Sequence, residues 1–368
     1  GNWLVNGGKT NTADIPSLVS TLLTWERVRS FNVGFDFGAF SNRLTGSFDY
    51  FVRKTVDMVG PAPQLPLVLG IAPAIVNNAD MKSYGFEIEL SWRDRIGEVD
   101  YGVKFNLADA QQKVVKYPNT TNAFSDWYAG KMSGEIWGYT SLGIAKTDEE
   151  MKEHLASLPN GGQNQLGNKW GAGDIMYADI NGDGKVDGGK GTLADPGDQR
   201  IIGNSTPRYN FGLVLDTSYK GFDVSIFFQG VGKRDYAPIV GTNGAVFWGA
   251  VNNIWQSMAM EEHFDYFRPE GHPMGANLNG YYPRPDFTSN KNHQVQTRYL
   301  QDASYIRLKN LQIGYTLPKQ WINKLHINRC RVYVSGDNLW TGTSLASMFD
   351  PETLAAGDWG SGKTYPLS

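Results

Sequence analysis

Residues 84–93 read Tyr-Gly-Phe-Glu-Ile-Glu-Leu-Ser-Trp-Arg, and this stretch decides the fold. Large apolar side chains stand at every second position, and polar or small residues fill the positions between them. A period of two is the pattern of a β-strand with one apolar and one polar face. Residues 99–107 repeat the pattern after a short connection. Two such segments joined so closely predict an antiparallel hairpin.

The same alternation marks three further segments of the chain, and three more, at about 43–57, 303–317 and 328–341, show it more loosely. The predicted strands cover residues 31–37, 43–57, 84–93, 99–107, 209–215, 222–228, 303–317 and 328–341. Several of them exceed the length of about 5–6 residues that is usual in globular proteins. They approach the length of about 9–11 residues that a tilted strand needs to cross a membrane.

The connections between these strands alternate between short and long. Short turns fall at about 39–42, 94–98, 220–221 and 318–327, and long segments at about 59–82, 114–206, 233–302 and 342–368. In an antiparallel meander, successive connections lie on opposite sides of the sheet, so all the long segments share one side. Outer-membrane barrels have short periplasmic turns and long extracellular loops. The sequence therefore predicts an all-β fold, a transmembrane antiparallel β-barrel wall, with a soluble β-sandwich carrying large insertions as the alternative.

Composition fits a barrel and excludes several other classes. The net charge of −3 gives no basic surface for a nucleic-acid partner. The single cysteine, Cys330, excludes a disulfide framework. No apolar run is long enough for a membrane-spanning helix. Strands with one polar face keep the mean hydropathy low, here −0.39.

Short motifs follow one another along most of the chain. They include Asn32-Val33-Gly34-Phe35-Asp36-Phe37-Gly38, Asp179-Ile180-Asn181-Gly182-Asp183-Gly184, Tyr305-Ile306-Arg307-Leu308-Lys309-Asn310-Leu311, Ser335-Gly336-Asp337-Asn338-Leu339-Trp340 and Asp350-Pro351-Glu352. The ordered set resembles the C-terminal region of the SusC/RagA family of TonB-dependent outer-membrane receptors from Bacteroidetes. The resemblance implies that residues 1–368 form the C-terminal portion of a barrel of 22 strands and supply about eight of them. We expect the plug domain and the last strand to lie outside this chain.

The resemblance also implies a function. It predicts import of a bulky nutrient, an oligosaccharide or oligopeptide, across the outer membrane of a Gram-negative bacterium. A SusD-like surface lipoprotein would cap the barrel, the TonB complex would act through the plug region, and lipid would surround the wall. No catalytic role is expected, since the chain lacks G-x-S-x-G, H-E-x-x-H and phosphate-binding glycine motifs. The alternatives are a secreted calcium-stabilised glycan-binding or glycan-degrading β-protein and an adhesin-like barrel without transport.

Residues 179–187 read Asp-Ile-Asn-Gly-Asp-Gly-Lys-Val-Asp, which is the pattern of a calcium-binding loop. Oxygen ligands at alternate positions can converge on one hard cation, and glycine at the sixth position permits a sharp turn. The twelfth position is Lys190, but the resembled family has an acid where this chain has Asp198. A structural Ca²⁺ and a metal-free turn both fit the pattern. The predicted ligands are Asp179, Asn181, Asp183, the backbone carbonyl of Lys185, Asp187 and Asp198.

Aromatic residues are frequent in the predicted extracellular loops. Flat rings can stack on a ligand, but they can also pack loops against one another. Both interpretations stay open for the candidate substrate-binding residues Trp127, Trp137, Trp248, Tyr281 and Tyr282, and for Trp255 and Trp359. Three histidines of one long loop, His263, His272 and His293, lack metal-ligand spacing.

One loop segment predicts a short helix over about 147–158. Thr147 can cap its N-terminus, and Glu150 follows three residues later as in a capping box.

Overall fold

A single antiparallel sheet of eight long strands dominates the fold. The computed structural model describes residues 4–5, 8–9, 23–61, 74–238, 246–251, 260–287, 290–323 and 327–354. The strands of the sheet are β3 (Arg27–Ala39), β4 (Leu44–Val59), β5 (Asn77–Ile96), β6 (Val99–Lys116), β11 (Arg208–Tyr219), β12 (Phe222–Lys233), β15 (Tyr305–Thr316) and β16 (Arg331–Thr343).

The sheet is a meander in which each long strand pairs with the next one along the chain. The order is β3-β4-β5-β6-β11-β12-β15-β16, and every pairing is antiparallel. This topology confirms the predicted fold class, a portion of an antiparallel barrel wall.

Some strands are longer than the sequence predicts. Strand β5 begins at Asn77 and β6 ends at Lys116. Residues 77–82 and 114–116 therefore belong to the sheet and not to the loops predicted at 59–82 and 114–206. Backbone hydrogen bonds continue the ladder past the last alternating apolar side chain. Because apolar and polar residues no longer alternate there, the sequence pattern does not indicate that the strand continues. The long connections lie at 60–76, 117–207 and 234–304 and after Thr343. Within them, the following residues lie outside the described ranges: 62–73, 239–245, 252–259, 288–289 and 355–368.

The register of the sheet sorts side chains into an apolar face and a polar face. Successive side chains of a strand point to opposite faces, so residues paired across the ladder share a face. One ladder row contains Phe35, Phe48, Ile88, Leu107 and Phe211. The adjacent row contains Asp36, Ser47, Glu89, Asn106 and Gly212. The apolar face is the one that lipid can cover, and the polar face is the one that suits a wet lumen.

The long connections pack into a second unit at one end of the sheet. It contains the ladders β7 (Glu135–Gly138) with β10 (Arg200–Asn204), β8 (Ser141–Ile144) with β9 (Ile175–Tyr177), and β13 (Asp235–Tyr236) with β14 (Gln301–Asp302). Near the N-terminus, β1 (Leu4–Val5) pairs with β2 (Gly8–Lys9). We call the buried residues shared by the long connections the loop core; they include Tyr139, Tyr177, Phe247, Trp248, Tyr282, Tyr299 and Phe349.

Helices are few and short in the described part of the chain. Helix α1 spans Asp148–Ala156, and the Thr147 hydroxyl accepts a hydrogen bond of 3.1 Å from the Glu150 amide, which confirms the predicted helix and its cap. The Glu150 carboxylate accepts from the amide of Lys146, one residue before the cap. Helix α2 spans Lys319–Ile322, and 3₁₀ turns lie at Gly249–Val251 and Glu261–Phe264. None of the helices in the described ranges has the length and hydropathy needed to span a membrane.

Candidate functional site

The polar face of the sheet forms a groove. Its volume is about 610 Å³, and its lining includes Ser47, Glu89, Lys104 and Asn106. Glu89 lies opposite Asn106, and Ser91 lies opposite Lys104, in the pairing of β5 with β6. Glu87 and Arg93 are separated from Glu89 by an even number of residues on β5, so their side chains lie on the same face as Glu89, Lys104 and Asn106.

Carboxylates predominate in one part of this face. Asp49 of β4 lies directly opposite Glu87 of β5, and Glu89 and Asp36 both lie opposite Ser47. Among the described residues, no ion pair neutralises these four side chains. Like charges directly opposite one another destabilise a sheet. This part of the wall therefore presents uncompensated acceptors to whatever occupies the lumen.

Two of the candidate substrate-binding aromatics lie inside the loop core. Trp248 and Tyr282 are both 1% exposed, and their ring centroids are 5.8 Å apart. The Trp248 ring also meets Tyr299 edge-on at 4.7 Å. In this arrangement both side chains pack loops together, and a ligand would contact them only if the core opened.

The other three aromatic candidates are half-buried. Trp137 stacks on Phe124 at 4.5 Å, and Trp127 meets Tyr117 edge-on at 6.0 Å. Tyr281 accepts hydrogen bonds at its backbone carbonyl from Arg298 and Tyr299. The three residues do not form one cluster, and ligand contact by each stays a prediction. Trp255 and Trp359 lie outside the described residues.

A buried charge network joins two long loops and has no signal in the sequence pattern. The carboxylate of Asp174 is fully buried and accepts hydrogen bonds from Lys291 at 2.9 Å, Arg284 at 2.7 Å and Asn292 at 2.9 Å. Lys291 is itself 1% exposed, and its ammonium lies over the Trp170 ring. Buried charges are stable only when paired and hydrogen-bonded. Asp174 therefore fixes the 234–304 connection to the 117–207 connection.

A second network fixes the segment after β16 to the sheet. Arg307 of β15 donates to Asp350 at 2.8 Å and to Glu352 at 2.5 Å. Lys309 also contacts Glu352 at 3.1 Å. Two of the motifs quoted from the sequence, 305–311 and 350–352, thus contact one another. Both motifs contributed to the resemblance to SusC/RagA receptors, but the sequence did not predict that they form ion pairs with each other.

The loop predicted to bind calcium is closed by its own backbone. Gly182 and Gly184 have φ values of +77° and +82°, the left-handed region that favours glycine. Their amides donate to the two carboxylate oxygens of Asp179 at 2.6 and 2.8 Å. Asp198 accepts from the amides of Ile180 and Asp187 at 2.7 and 2.8 Å, so the chain returns Asp198 to the loop after the 188–195 segment.

Lys185 already places one positive charge in this loop. Its ammonium lies 2.5 Å from Asp187 and 3.8 Å from Asp183. Burial raises the pKa of Asp187, but hydrogen bonds from Lys185 and Gly189 outweigh it and lower the pKa overall. Burial raises the pKa of Asp198. Among the described residues, no three carboxylates, imidazoles or thiolates converge as metal ligands. The oxygen donors suit Ca²⁺ chemically, but Ca²⁺ would require Lys185 to leave.

The three loop histidines lie in different surroundings. His263 is buried and its Nδ1 accepts from the Met260 amide at 3.0 Å, whereas His272 is half-buried. His293 is buried against Trp248, with ring centroids 4.3 Å apart, and neither ring nitrogen has a hydrogen-bond partner among the described residues. Burial lowers the pKa of His293 to about 4.

An antiparallel wall with one apolar face, one polar face and long loops at one end defines an outer-membrane β-barrel protein. Residues 2–339 match the family described as TonB dependent receptor-like, beta-barrel, and the chain belongs to this family. The family consists of transporters, which confirms the prediction that the chain is not an enzyme. The predicted location, the outer membrane of a Gram-negative bacterium, is confirmed as well.

Individual relatives share the sequence or the fold over most of this chain. TonB-dependent receptor P3 of Formosa agariphila is 28% identical over 95% of the chain and 33% of its own length. TonB-dependent receptor SusC of Bacteroides thetaiotaomicron is 21% identical over 83% of the chain and 27% of its own length. The structure of the RagAB peptide transporter superposes with a TM-score of 0.67 at 23% identity, over 94% of this chain and 35% of that one. The resemblance to SusC/RagA receptors is thereby confirmed, and the chain spans about one third of the length of these relatives.

Proposed function

We propose that this chain is the barrel wall and loop portion of a receptor that imports a bulky nutrient, an oligopeptide or oligosaccharide, in a TonB-dependent manner. The observation that carries the proposal is the polar groove behind a continuous apolar face, in a chain of the TonB-dependent receptor family. A wall of this kind isolates a wet path from lipid. The family assignment favours it over a secreted glycan-binding or glycan-degrading protein.

The polar groove suits a hydrated cargo with many hydrogen-bonding groups. Glu87, Glu89, Lys104 and Asn106 supply both donors and acceptors on one face. Both peptides and oligosaccharides carry such groups along their whole length, so the wall alone supports the class of cargo and not one member of it. The likeness to the RagAB peptide transporter supports an oligopeptide cargo, and an oligosaccharide stays the other candidate because it offers the same kind of hydrogen-bonding groups.

The loop core supports a role as a platform for a SusD-like lipoprotein lid. The two buried networks, Asp174 with Lys291 and Arg307 with Asp350, hold the long connections in one arrangement above the sheet. A rigid surface lowers the entropy cost of docking a partner. The TonB complex would act through the plug region of the receptor.

Uptake by the native organism tests the proposal. A strain lacking the gene is offered a fluorescent oligopeptide digest and a fluorescent oligosaccharide digest, beside a strain lacking TonB. Uptake of one digest should fall in both strains and return on complementation. Unchanged uptake of both digests, with the protein present in the outer membrane of the parent, would favour the adhesin-like barrel instead.

Variants of the groove separate transport from assembly. Glu87→Gln with Glu89→Gln should alter uptake, because both carboxylates face the lumen. The matched control is Glu98→Gln, whose side chain lies in a short turn and pairs with Lys220 at 2.8 Å. Equal uptake by both variants would contradict a role for the groove. Purification of the complemented receptor should also bring a surface lipoprotein with it.

We also propose a structural Ca²⁺ in the 179–198 loop. Its support is the oxygen-rich sequence, the glycine turn and the return of Asp198 to the loop. Asp179, Asn181, Asp183, Lys185 through its carbonyl, Asp187 and Asp198 would hold the ion, which would replace the Lys185 ammonium as the counter-charge.

A further inference from the structure

Four positive side chains form a row across four adjacent strands. Arg29 of β3 lies opposite Lys54 of β4, Lys54 lies opposite Lys82 of β5, and Lys82 lies opposite Lys113 of β6. Paired residues share a face of the sheet, so all four belong to one face. Neighbouring strands are about 4.8 Å apart, so the four attachment points span roughly 15 Å.

The row lies on the apolar face of the sheet. The next row on the same face is displaced by two residues along each strand and contains Phe31, Val52, Tyr84 and Gln111. The Lys82 ammonium lies 5.4 Å from the centroid of the Tyr84 ring, on that face. We call Arg29, Lys54, Lys82 and Lys113 the cationic row.

Local acids do not neutralise the cationic row. Lys54 approaches Asp80 only at 3.9 Å, and its side chain stays 44% exposed. Arg29, Lys82 and Lys113 are exposed and have no ion-pair partner among the residues that the structure describes. By contrast, Arg208, on β11 near the same end of the sheet, donates to both oxygens of Asp109. Like charges directly opposite one another destabilise a sheet, so an uncompensated row indicates an anionic partner.

The height of the row places it at the edge of the membrane. Trp92 of β5, opposite Leu44, marks the short-turn end of the same face and donates to Tyr101 at 3.1 Å. Lys82 lies ten residues away along β5. At about 3.3 Å per residue and a tilt of about 40°, this separation gives a height of roughly 25 Å, the height of the apolar band of an outer-membrane barrel.

The long loops lie at the same end as the row, since β3 begins near Arg29 and β4 continues past Lys54 into the 60–76 connection. Long loops face the cell exterior. The row therefore lies at the headgroup level of the outer leaflet, which in Gram-negative bacteria is built from phosphorylated glycolipid.

We propose that the cationic row binds the phosphate groups of an outer-leaflet glycolipid. Lysine and arginine bind phosphate by charge-assisted hydrogen bonds, and rows of such side chains beside a membrane recognise anionic headgroups. The site is independent of what the receptor imports, since it lies on the outer face of the wall and not on the groove. It anchors the β3–β6 part of the barrel at a fixed depth.

The test measures glycolipid retained by the full-length receptor. The receptor is reconstituted in phosphatidylcholine nanodiscs that contain bisphosphorylated lipid A, and retained lipid A is counted by native mass spectrometry. The quadruple variant Arg29→Gln, Lys54→Gln, Lys82→Gln and Lys113→Gln should retain at least about tenfold less lipid A than the parent, since it removes four charges that attract an anionic surface. Added salt should weaken retention by the parent receptor.

The matched control removes four positive charges from the opposite end of the barrel. Arg95, Lys220, Lys319 and Arg329 are exposed and lie in or beside the short turns; their quadruple glutamine variant should retain lipid A within about twofold of the parent. Equal loss in the control, or full retention by the row variant, would contradict the proposal.

Two further arms keep the test decisive. Lys54→Arg with Lys82→Arg and Lys113→Arg should keep the binding, because charge is conserved. If the glutamine variant does not assemble, the parent receptor alone decides: it should retain bisphosphorylated lipid A and lose the fully dephosphorylated lipid. Equal retention of both lipids would overturn the proposal.

Discussion

The ammonium of Lys291 lies 2.9 Å from a carboxylate oxygen of Asp174, and both side chains are buried between two loops separated by more than a hundred residues of sequence. Arg284 contacts the same carboxylate from the more exposed side. The pair is therefore one of the contacts that hold the 117–207 and 234–304 connections together, beside the hydrogen bonds that Tyr177 makes with Lys291 and Gln296.

Asp174→Asn should loosen the loop core without disturbing the sheet. Removal of one partner leaves the Lys291 charge buried without its counter-ion, at a cost of about 3–5 kcal/mol. Hydrogen exchange of backbone amides in β8, β9 and 290–303 should accelerate, while amides of β5 and β6 stay protected. Lys220→Gln, which breaks an exposed pair with Glu98, is the control and should change stability by less than about 1 kcal/mol. Unchanged exchange in Asp174→Asn would show that the pair does not hold the loops.

Acid should destabilise the loop core through His293. Burial depresses the pKa of this histidine to about 4, so the unfolded loops bind its proton first as the pH falls below about 6.5. The stability contributed by the neutral ring is present above that pH and is lost as the pH falls toward 4, by roughly 2–3 kcal/mol. His293→Phe should flatten this part of the pH profile, measured by hydrogen exchange between pH 7 and 4.5. His272→Gln should leave the profile as in the parent, and an equal acid loss in His293→Phe would contradict the assignment.

Calcium should stabilise the 179–198 loop. With a dissociation constant of about 0.1–1 mM, typical of extracellular sites, 10 mM Ca²⁺ would add roughly 1–3 kcal/mol to the loop unit. Thermal unfolding of the receptor should shift upward with Ca²⁺ and less with Mg²⁺. The shift should vanish in Asp179→Asn with Asp183→Asn, and should grow in Lys185→Gln because the competing ammonium is gone. No shift in the parent receptor would leave the metal-free turn as the correct account.

A charge on the apolar face should cost far more than the same charge on the polar face. Leu107 and Asn106 are consecutive residues of β6 that point to opposite faces. Leu107→Arg places a guanidinium against lipid near the centre of the apolar band and should cost about 2–4 kcal/mol. Asn106→Arg faces the groove and should assemble normally. The fraction of heat-modifiable, folded receptor in outer membranes measures both, and equal assembly of the two variants would contradict the orientation of the wall.

The sheet was predictable because apolar and polar residues alternate within its individual strands. Alternation in 84–93 and 99–107 reports a two-faced strand wherever it occurs, and the alternating lengths of the connections place the loops on one side. The ends of the strands were not predictable, since Lys82 and Lys113 interrupt the apolar alternation while their backbones still pair.

The loop core was not predictable from local pattern. Trp248, Tyr282 and Tyr299 meet through connections that have no periodicity, and Asp174 finds Lys291 only after the chain has completed two strands of the sheet. From the sequence alone, Trp248 and Tyr282 could either pack loops together or contact a ligand. The cationic row became visible only through the register, because its four members are dispersed over 85 residues of sequence.

The two faces of this sheet have different surroundings, since one contacts lipid and the other faces a wet lumen. Ile88 and Glu89, adjacent on β5, test this difference most directly when each is replaced by cysteine in a Cys330→Ser background and carries a nitroxide. In the full-length receptor in bilayers, the label at 88 should relax faster with oxygen, and the label at 89 faster with a water-soluble nickel chelate. Equal access of the nickel chelate to both labels would contradict the barrel wall and indicate a sheet with water on both faces.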